Sequence, residues 1–173
     1  MAALESVAFS DRVRIPIGTP AMKTKLGKNA KIVLEILKDE VRGDIGSALK
    51  KMTNDYSMTW VDAGTDGKQL FPTTGKNIKK EMEEAYVIKE RRYDIKNIAE
   101  GKNLVMVELI ESSPNPKTKK VYRTPLVLVL EMKNGKIRTG RHYLDPRLSR
   151  KFLTKAQISK VYKNSRGSLM VIK

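Results

Sequence analysis

Hydrophobic and polar positions divide this chain into a helical first half and a strand-rich second half. From Asn29 onward, Ile32, Val33, Ile36 and Leu37 recur at the three- and four-residue spacing of a helix buried on one face, with Asn29 as the expected cap. Gly43 breaks that helix, and Ile45, Ala48, Leu49 and Met52 form the stripe of a shorter second one. Tyr56 to Asp62 reads as a strand, closed by Gly64 and an Asp66-Gly67 turn. Thr74 opens a third helix whose buried stripe is Ile78, Met82, Ala85 and Tyr86. Strands follow at Tyr93 to Ala99 and Leu104 to Glu111. Pro114, Asn115, Pro116 and the lysines at 117, 119 and 120 then mark an exposed loop.

The next stretch carries the strongest local signal. An apolar run from Leu126 ends in Asn134 and Gly135, and a second, alternating run follows. Asn-Gly between two strand-like runs predicts a type I′ hairpin, whose two central residues both need positive φ. Strict alternation puts Ile137, Thr139, Arg141 and Tyr143 on one face of the second strand. Arg138, Gly140, His142 and Leu144 fall on the other. After Asp145 the composition shifts: residues 146 to 173 hold eight Lys or Arg and no acid. Thr154 is placed to cap a short helix presenting Ile158, Val161 and Tyr162, and Leu169 to Ile172 reads as a terminal strand. The expected organisation is an irregular arm over 1–28, one domain over 29–145 and a basic extension over 146–173. Helices clustered before a run of strands indicate α+β layering. A strongly curved sheet wrapped on those helices would enclose a pocket lined by inward-facing strand residues.

Composition narrows the chemistry. At 173 residues the chain suits one domain with a sizeable core. It has no cysteine, which excludes disulfides and thiol nucleophiles, and its single histidine argues against a zinc site. No apolar stretch approaches the roughly 20 residues of a membrane span. The first residues carry Glu5 and Asp11 and lack a signal-peptide core, so a cytoplasmic protein is expected. The net charge of +16 favours nucleic acid, anionic surfaces or acidic partners, although the basic residues are spread rather than packed into one run. Phe152 and Tyr162 are interleaved with cations, but no nucleic-acid motif accompanies them. Any such association is expected to be non-specific.

The order of elements resembles the nuclear transport factor 2-like superfamily, in particular its SnoaL-like branch, with polyketide cyclases, limonene epoxide hydrolases and ketosteroid isomerases as relatives. Trp60 to Asp62, Gly75 to Ile78, Val105 to Glu108, Asn134 to Ile137 and Arg141 to Asp145 carry the resemblance, which covers about residues 29 to 145. It implies a cone, a curved mixed sheet closed by three helices over a deep pocket, and dimerisation through the outer sheet face. Epoxide hydrolases of the family place an acid where this chain has His142. Their Arg-x-Asp corresponds to Leu109, Ile110 and Glu111, so the Arg is absent and the acid lengthened. Their Tyr-x-Asn corresponds to Trp60, Val61 and Asp62. Cyclases and isomerases of the superfamily use one pocket Asp or His as acid/base, and this set is compatible with that scheme.

The candidate catalytic residues are therefore His142, Asp62 and Glu111, with Trp60, Tyr56 and Tyr86 as ligand-binding walls. An imidazole titrating near neutral pH can take and return a proton, and Asp62 or Glu111 would orient it. Each has a plainer alternative: an interior histidine, a turn aspartate, an acid at a strand end, aromatic core packing. Arg141 and Tyr143 face away from His142, and Glu108 is expected to be structural. The favoured function is isomerisation, cyclisation or hydration of a small apolar organic ligand, without metal or organic cofactor, in a homodimer. The alternatives are a non-catalytic ligand-binding or assembly module of the same fold, and a basic nucleic-acid-associated protein.

Overall fold

Helix α1 (Lys28–Arg42) starts before its apolar stripe, and Gly27 rather than Asn29 holds the cap position in the computed structural model, which describes residues 26–62, 70–74, 77–86, 89–163 and 167–173. The arm before residue 26, Gly64, the Asp66-Gly67 turn and Gly75 lie outside the described residues. Gly27 has no side chain to satisfy the first turn. The Glu100 carboxylate, at the end of β2 (Arg92–Glu100), accepts from the N–H groups of Asn29 at 3.0 Å and Ala30 at 3.2 Å. Two of the four orphan donors of a helix start are thereby paired. Gly43 ends α1 at φ 74°, the left-handed conformation that glycine adopts without a Cβ clash. Asp44 then caps α2 (Ile45–Lys50) by accepting from Ser47 N–H at 3.0 Å.

The remaining strands are β1 (Met52–Trp60), β3 (Leu104–Pro114), β4 (Val121–Lys133), β5 (Lys136–Leu144) and β6 (Met170–Ile172). With β2 they form one mixed sheet in the order β1-β5-β4-β3-β2-β6. Strands β2 to β5 are antiparallel sequential neighbours, and β1 joins β5 in parallel. The β4–β5 turn has φ 52° at Asn134 and 73° at Gly135, the two positive values its sequence required. Helix α3 (Ile78–Ala85) lies between β1 and β2 in sequence and buries Met82.

Strict alternation fails in β5 for a local reason. Ile137 pairs with Met132 and Thr139 with Glu131, so Arg138 is an extra residue in a bulge. The face switches there. Ile137 is buried and lies inside with Gly140, His142 and Leu144 instead of outside with Arg141.

The concave face of the sheet packs on α1. Val33, Ile36 and Leu37 meet Ile95, Val105, Val107 and Leu109 in one cluster. At about 1.5–3 kcal/mol per buried aliphatic side chain, this contact sets the fold. The basic segment after Asp145 contributes to it rather than trailing away. Ile172 in β6 is buried, β6 pairs with β2 opposite Tyr93, and Tyr162 beyond α5 (Lys155–Val161) donates to Glu108 at 3.0 Å. Ile158 and Ile172 of that segment are buried, whereas Val161, Leu169 and Val171 stay exposed along with its described cations. Among the described residues, no helix is long and apolar enough to cross a membrane.

Candidate functional site

Between the concave face and helices α1 and α3 lies a cavity of about 390 Å³. Alternation along β4 aims Tyr122, Thr124, Leu126, Leu128 and Leu130 into it, and Leu109, Glu111 and Ser113 on β3 do likewise. Exposure rises in the same direction on three strands, from Leu109 to Ser113, from Leu130 to Tyr122 and from Ile137 to Leu144. The open end is therefore at Ser113, Tyr122 and Leu144. The short helix α4 (Pro146–Ser149) brings Ser149 to it.

The residues expected from the sequence divide into two groups. His142, Trp60, Tyr56, Tyr86 and Glu111 all line the cavity, whereas Asp62 is not among the lining residues. Trp60 stands opposite His142 in the β1–β5 register, with ring centroids 6.2 Å apart. His142 differs from its expected role. Burial pushes its pKa down to about 4, against which the Asp62 charge acts only partly. It is a neutral imidazole at pH 7, not a group poised near neutrality. Nor does Glu111 orient it. Glu111 pairs with Thr124 and His142 with Leu128, positions four residues, or roughly 13 Å, apart along β4. The His142 Nδ1 is buried and makes no hydrogen bond among the described residues.

The group poised near neutral pH is Glu40. Burial raises its pKa from 4.5 to about 7, opposed by hydrogen bonds from Tyr93 and Tyr86 and by the Arg91 charge. The Tyr93 hydroxyl donates to Glu40 Oε2 at 3.2 Å. Beside it, Arg91 forms an ion pair with Glu111, donates from Nη2 to the Ala85 carbonyl at 2.7 Å, and lies over the Tyr86 ring at 4.5 Å. Burial raises the Glu111 pKa while Arg91 opposes the rise, and burial keeps Tyr86 and Tyr93 protonated far above neutral pH. The wall thus holds one carboxyl able to exchange a proton near pH 7, fixed hydroxyl donors and a compensated ion pair. The rest of the lining is mostly Leu, Ile, Met and Val. Among the described residues, no three His, Asp or Glu side chains converge as a metal-binding group.

Glu40 had a signal in the sequence. It extends the Val33, Ile36, Leu37 stripe of α1 by one more helical step, so it is an acid on a buried face. Arg91 had none. The arginine missing beside Glu111 on β3 arrives from the residue preceding β2, whose proximity only the strand pairing creates.

No protein-family model matches the sequence, and no curated protein matches it. Solved structures do match. An NTF2-like protein of unknown function from Burkholderia pseudomallei K96243 superposes with a TM-score of 0.59 at 19% identity, over 73% of this chain and 100% of that one. A Mycobacterium tuberculosis LEH-like epoxide hydrolase matches at TM-score 0.56 and 15% identity, over 79% of this chain and 96% of its own. The epoxide hydrolase/cyclase-like enzyme SalBIII, which has a role in pyran ring formation in polyether salinomycin, matches at TM-score 0.56 and 15% identity, over 68% of this chain and 91% of its own. The chain has the NTF2-like fold, a curved mixed sheet closed by helices from its N-terminal half.

Proposed function

We propose that the protein performs acid/base chemistry on a small, largely apolar organic molecule held in the cavity, in the manner of the SnoaL-like branch. The class is isomerisation, cyclisation or hydration. The observation that carries this reading is Glu40, a buried cavity-lining carboxyl whose pKa of about 7 lets it both accept and return a proton near neutral pH. Tyr93 and Tyr86 supply donors to charge developing beside it, and the Arg91–Glu111 pair adds a fixed dipole without net charge. Neutral His142 with Trp60 forms the opposite polar wall and positions the ligand. The chemistry asked of these residues needs no organic cofactor. Cyclase-like and epoxide hydrolase-like enzymes on the same fold support the reading at the level of fold.

The test is a screen of apolar ketones, epoxides and enolisable polyketide-like compounds, followed by Glu40→Gln on any that turns over. The expected loss is roughly 10²–10⁴-fold in kcat, with disappearance of the limb of the rate profile near pH 7. A substrate turned over equally well by Glu40→Gln would remove Glu40 from the chemistry. Ligands that bind without turnover would favour the non-catalytic binding module, which the same apolar walls serve. We read the outer sheet face as a homodimer surface. Met106 and Tyr143 are exposed there, beside Val127 and Val129 in the strand register. Light scattering that gives the mass of one chain would rule this out.

A further inference from the structure

One side of the cavity's lip carries an excess of cations. Two segments meet there. Tyr122, the first inward residue of β4, stacks on Phe152 with centroids 4.1 Å apart and planes 23° apart. Arg123 Nη1 donates to the Leu153 carbonyl at 2.8 Å. These contacts join the start of β4 to the segment between α4 and α5. Residues 112–130 hold four cations, Lys117, Lys119, Lys120 and Arg123, and no acid. Residues 146–155 hold four more, Arg147, Arg150, Lys151 and Lys155, and again no acid. Asp145, at the boundary, pairs with Arg147 at 3.0 Å. Lys120 Nζ lies 5.7 Å from the Phe152 ring centroid, and Phe152 itself is 38% exposed. Helix α3, which also lines the cavity, has no cation excess: Lys79 and Lys80 pair with Glu83 and Glu84, and Glu81 adds one further acid.

We infer that this lip holds the phosphate of a ligand whose apolar body fills the cavity, so the substrate class is a phosphate-bearing amphiphile. The inference rests on the pocket reading above and adds the headgroup to it. The physical logic is a division of solvents. A dianionic phosphate placed beside Glu40 and Glu111 would be repelled and desolvated, whereas at the lip it remains in water where cations outnumber acids. The stacked pair Tyr122 and Phe152 gives the link between body and headgroup an apolar surface to cross. Tyr122 and Ser149 both line the cavity and belong to the same two segments that carry the lip charges, so body and headgroup sites are continuous.

The experiment titrates the intact chain with decyl phosphate and with 1-decanol below their micelle concentrations, following the fluorescence of Trp60, the sole tryptophan, which lines the cavity. Decyl phosphate should bind more tightly by about tenfold, and raising the salt should erase most of that advantage. The double variant Lys120→Ala/Lys151→Ala should lose about fivefold for decyl phosphate, the scale of two screened surface charges, and nothing for decanol. Equal affinity of the parent protein for the two ligands overturns the headgroup site and leaves the pocket reading standing. Failure of both to change Trp60 fluorescence overturns the two together. Vesicles of anionic phospholipid that bind when monomeric decyl phosphate does not would identify a lipid surface instead. An oligonucleotide that binds the parent and is weakened by Lys120→Ala/Lys151→Ala, while decyl phosphate and decanol bind equally well, would assign the lip to nucleic acid and overturn the proposal.

Discussion

The Tyr93 hydroxyl donates to Glu40 Oε2 at 3.2 Å, tying strand β2 to the last turn of α1 across 53 residues of sequence. The bond stabilises the ionised form of a carboxyl that burial would keep protonated. The balance between these two effects places Glu40 near neutrality and makes folding sensitive to pH.

Folding raises the Glu40 pKa from 4.5 to about 7. Below pH 4.5 folded and unfolded chains both hold the proton. As pH rises the unfolded chain releases it first, so this contribution to stability is lost through pH 7, by at most about 3 kcal/mol. Glu40→Gln cannot ionise. Its stability relative to the parent should therefore increase between pH 4.5 and 8 in urea denaturation. A constant difference across that range would show that Glu40 does not titrate as described.

His142 has the opposite sign. Its pKa falls on folding from 6.5 to about 4, so the stability associated with it is full above pH 6.5 and lost as pH falls toward 4. His142→Asn should lose less stability than the parent over that interval, the difference reaching about 3 kcal/mol. Nitrogen NMR of the single imidazole supplies a direct check, and a protonated ring at pH 6 would contradict the burial argument.

Periodicity made the architecture legible. The α1 stripe, the Asn134-Gly135 turn and the run of strands after the helices each reflect local physics, and each stands close to where its pattern put it. The parallel join of β1 to β5 and the bulge at Arg138 depend on partners far away in sequence, so alternation alone put Ile137 on the wrong face. The site was legible as a location more than as chemistry. Facing His142 into the cavity follows from alternation, but its pKa follows from how completely its neighbours exclude water. The charge compensation beside Glu111 depends on Arg91, which no local pattern marks.

That ion pair leads to a third prediction. The Arg91 side chain is 10% exposed and that of Glu111 24%. Arg91→Met leaves a carboxylate facing the cavity without compensation and should cost about 3 kcal/mol, the low end for breaking a buried pair. Arg91→Met/Glu111→Leu removes both charges and should recover most of the loss, because an apolar pair of similar volume can replace a buried ion pair. Chemical denaturation of the single and double variants decides it. A double variant no more stable than Arg91→Met would show that Arg91 matters through its contacts with Ala85 and Tyr86 instead.

The start of α1 offers a test independent of the cavity. A Cβ added at Gly27 would stand 2.3 Å from Glu100 Oε2, so Gly27→Ala must displace the carboxylate that accepts from Asn29 and Ala30. Glu100→Ala removes the same acceptor directly. Each change should cost about 1 kcal/mol, the usual value of a lost helix cap. Because both act by breaking one interaction, the double variant should cost little more than either alone, whereas independent effects would add. Thermal or urea unfolding of the three variants measures this. Additive losses would mean that Gly27 and Glu100 support the helix start by separate means, and that the long-range cap contributes little to holding α1 over the sheet.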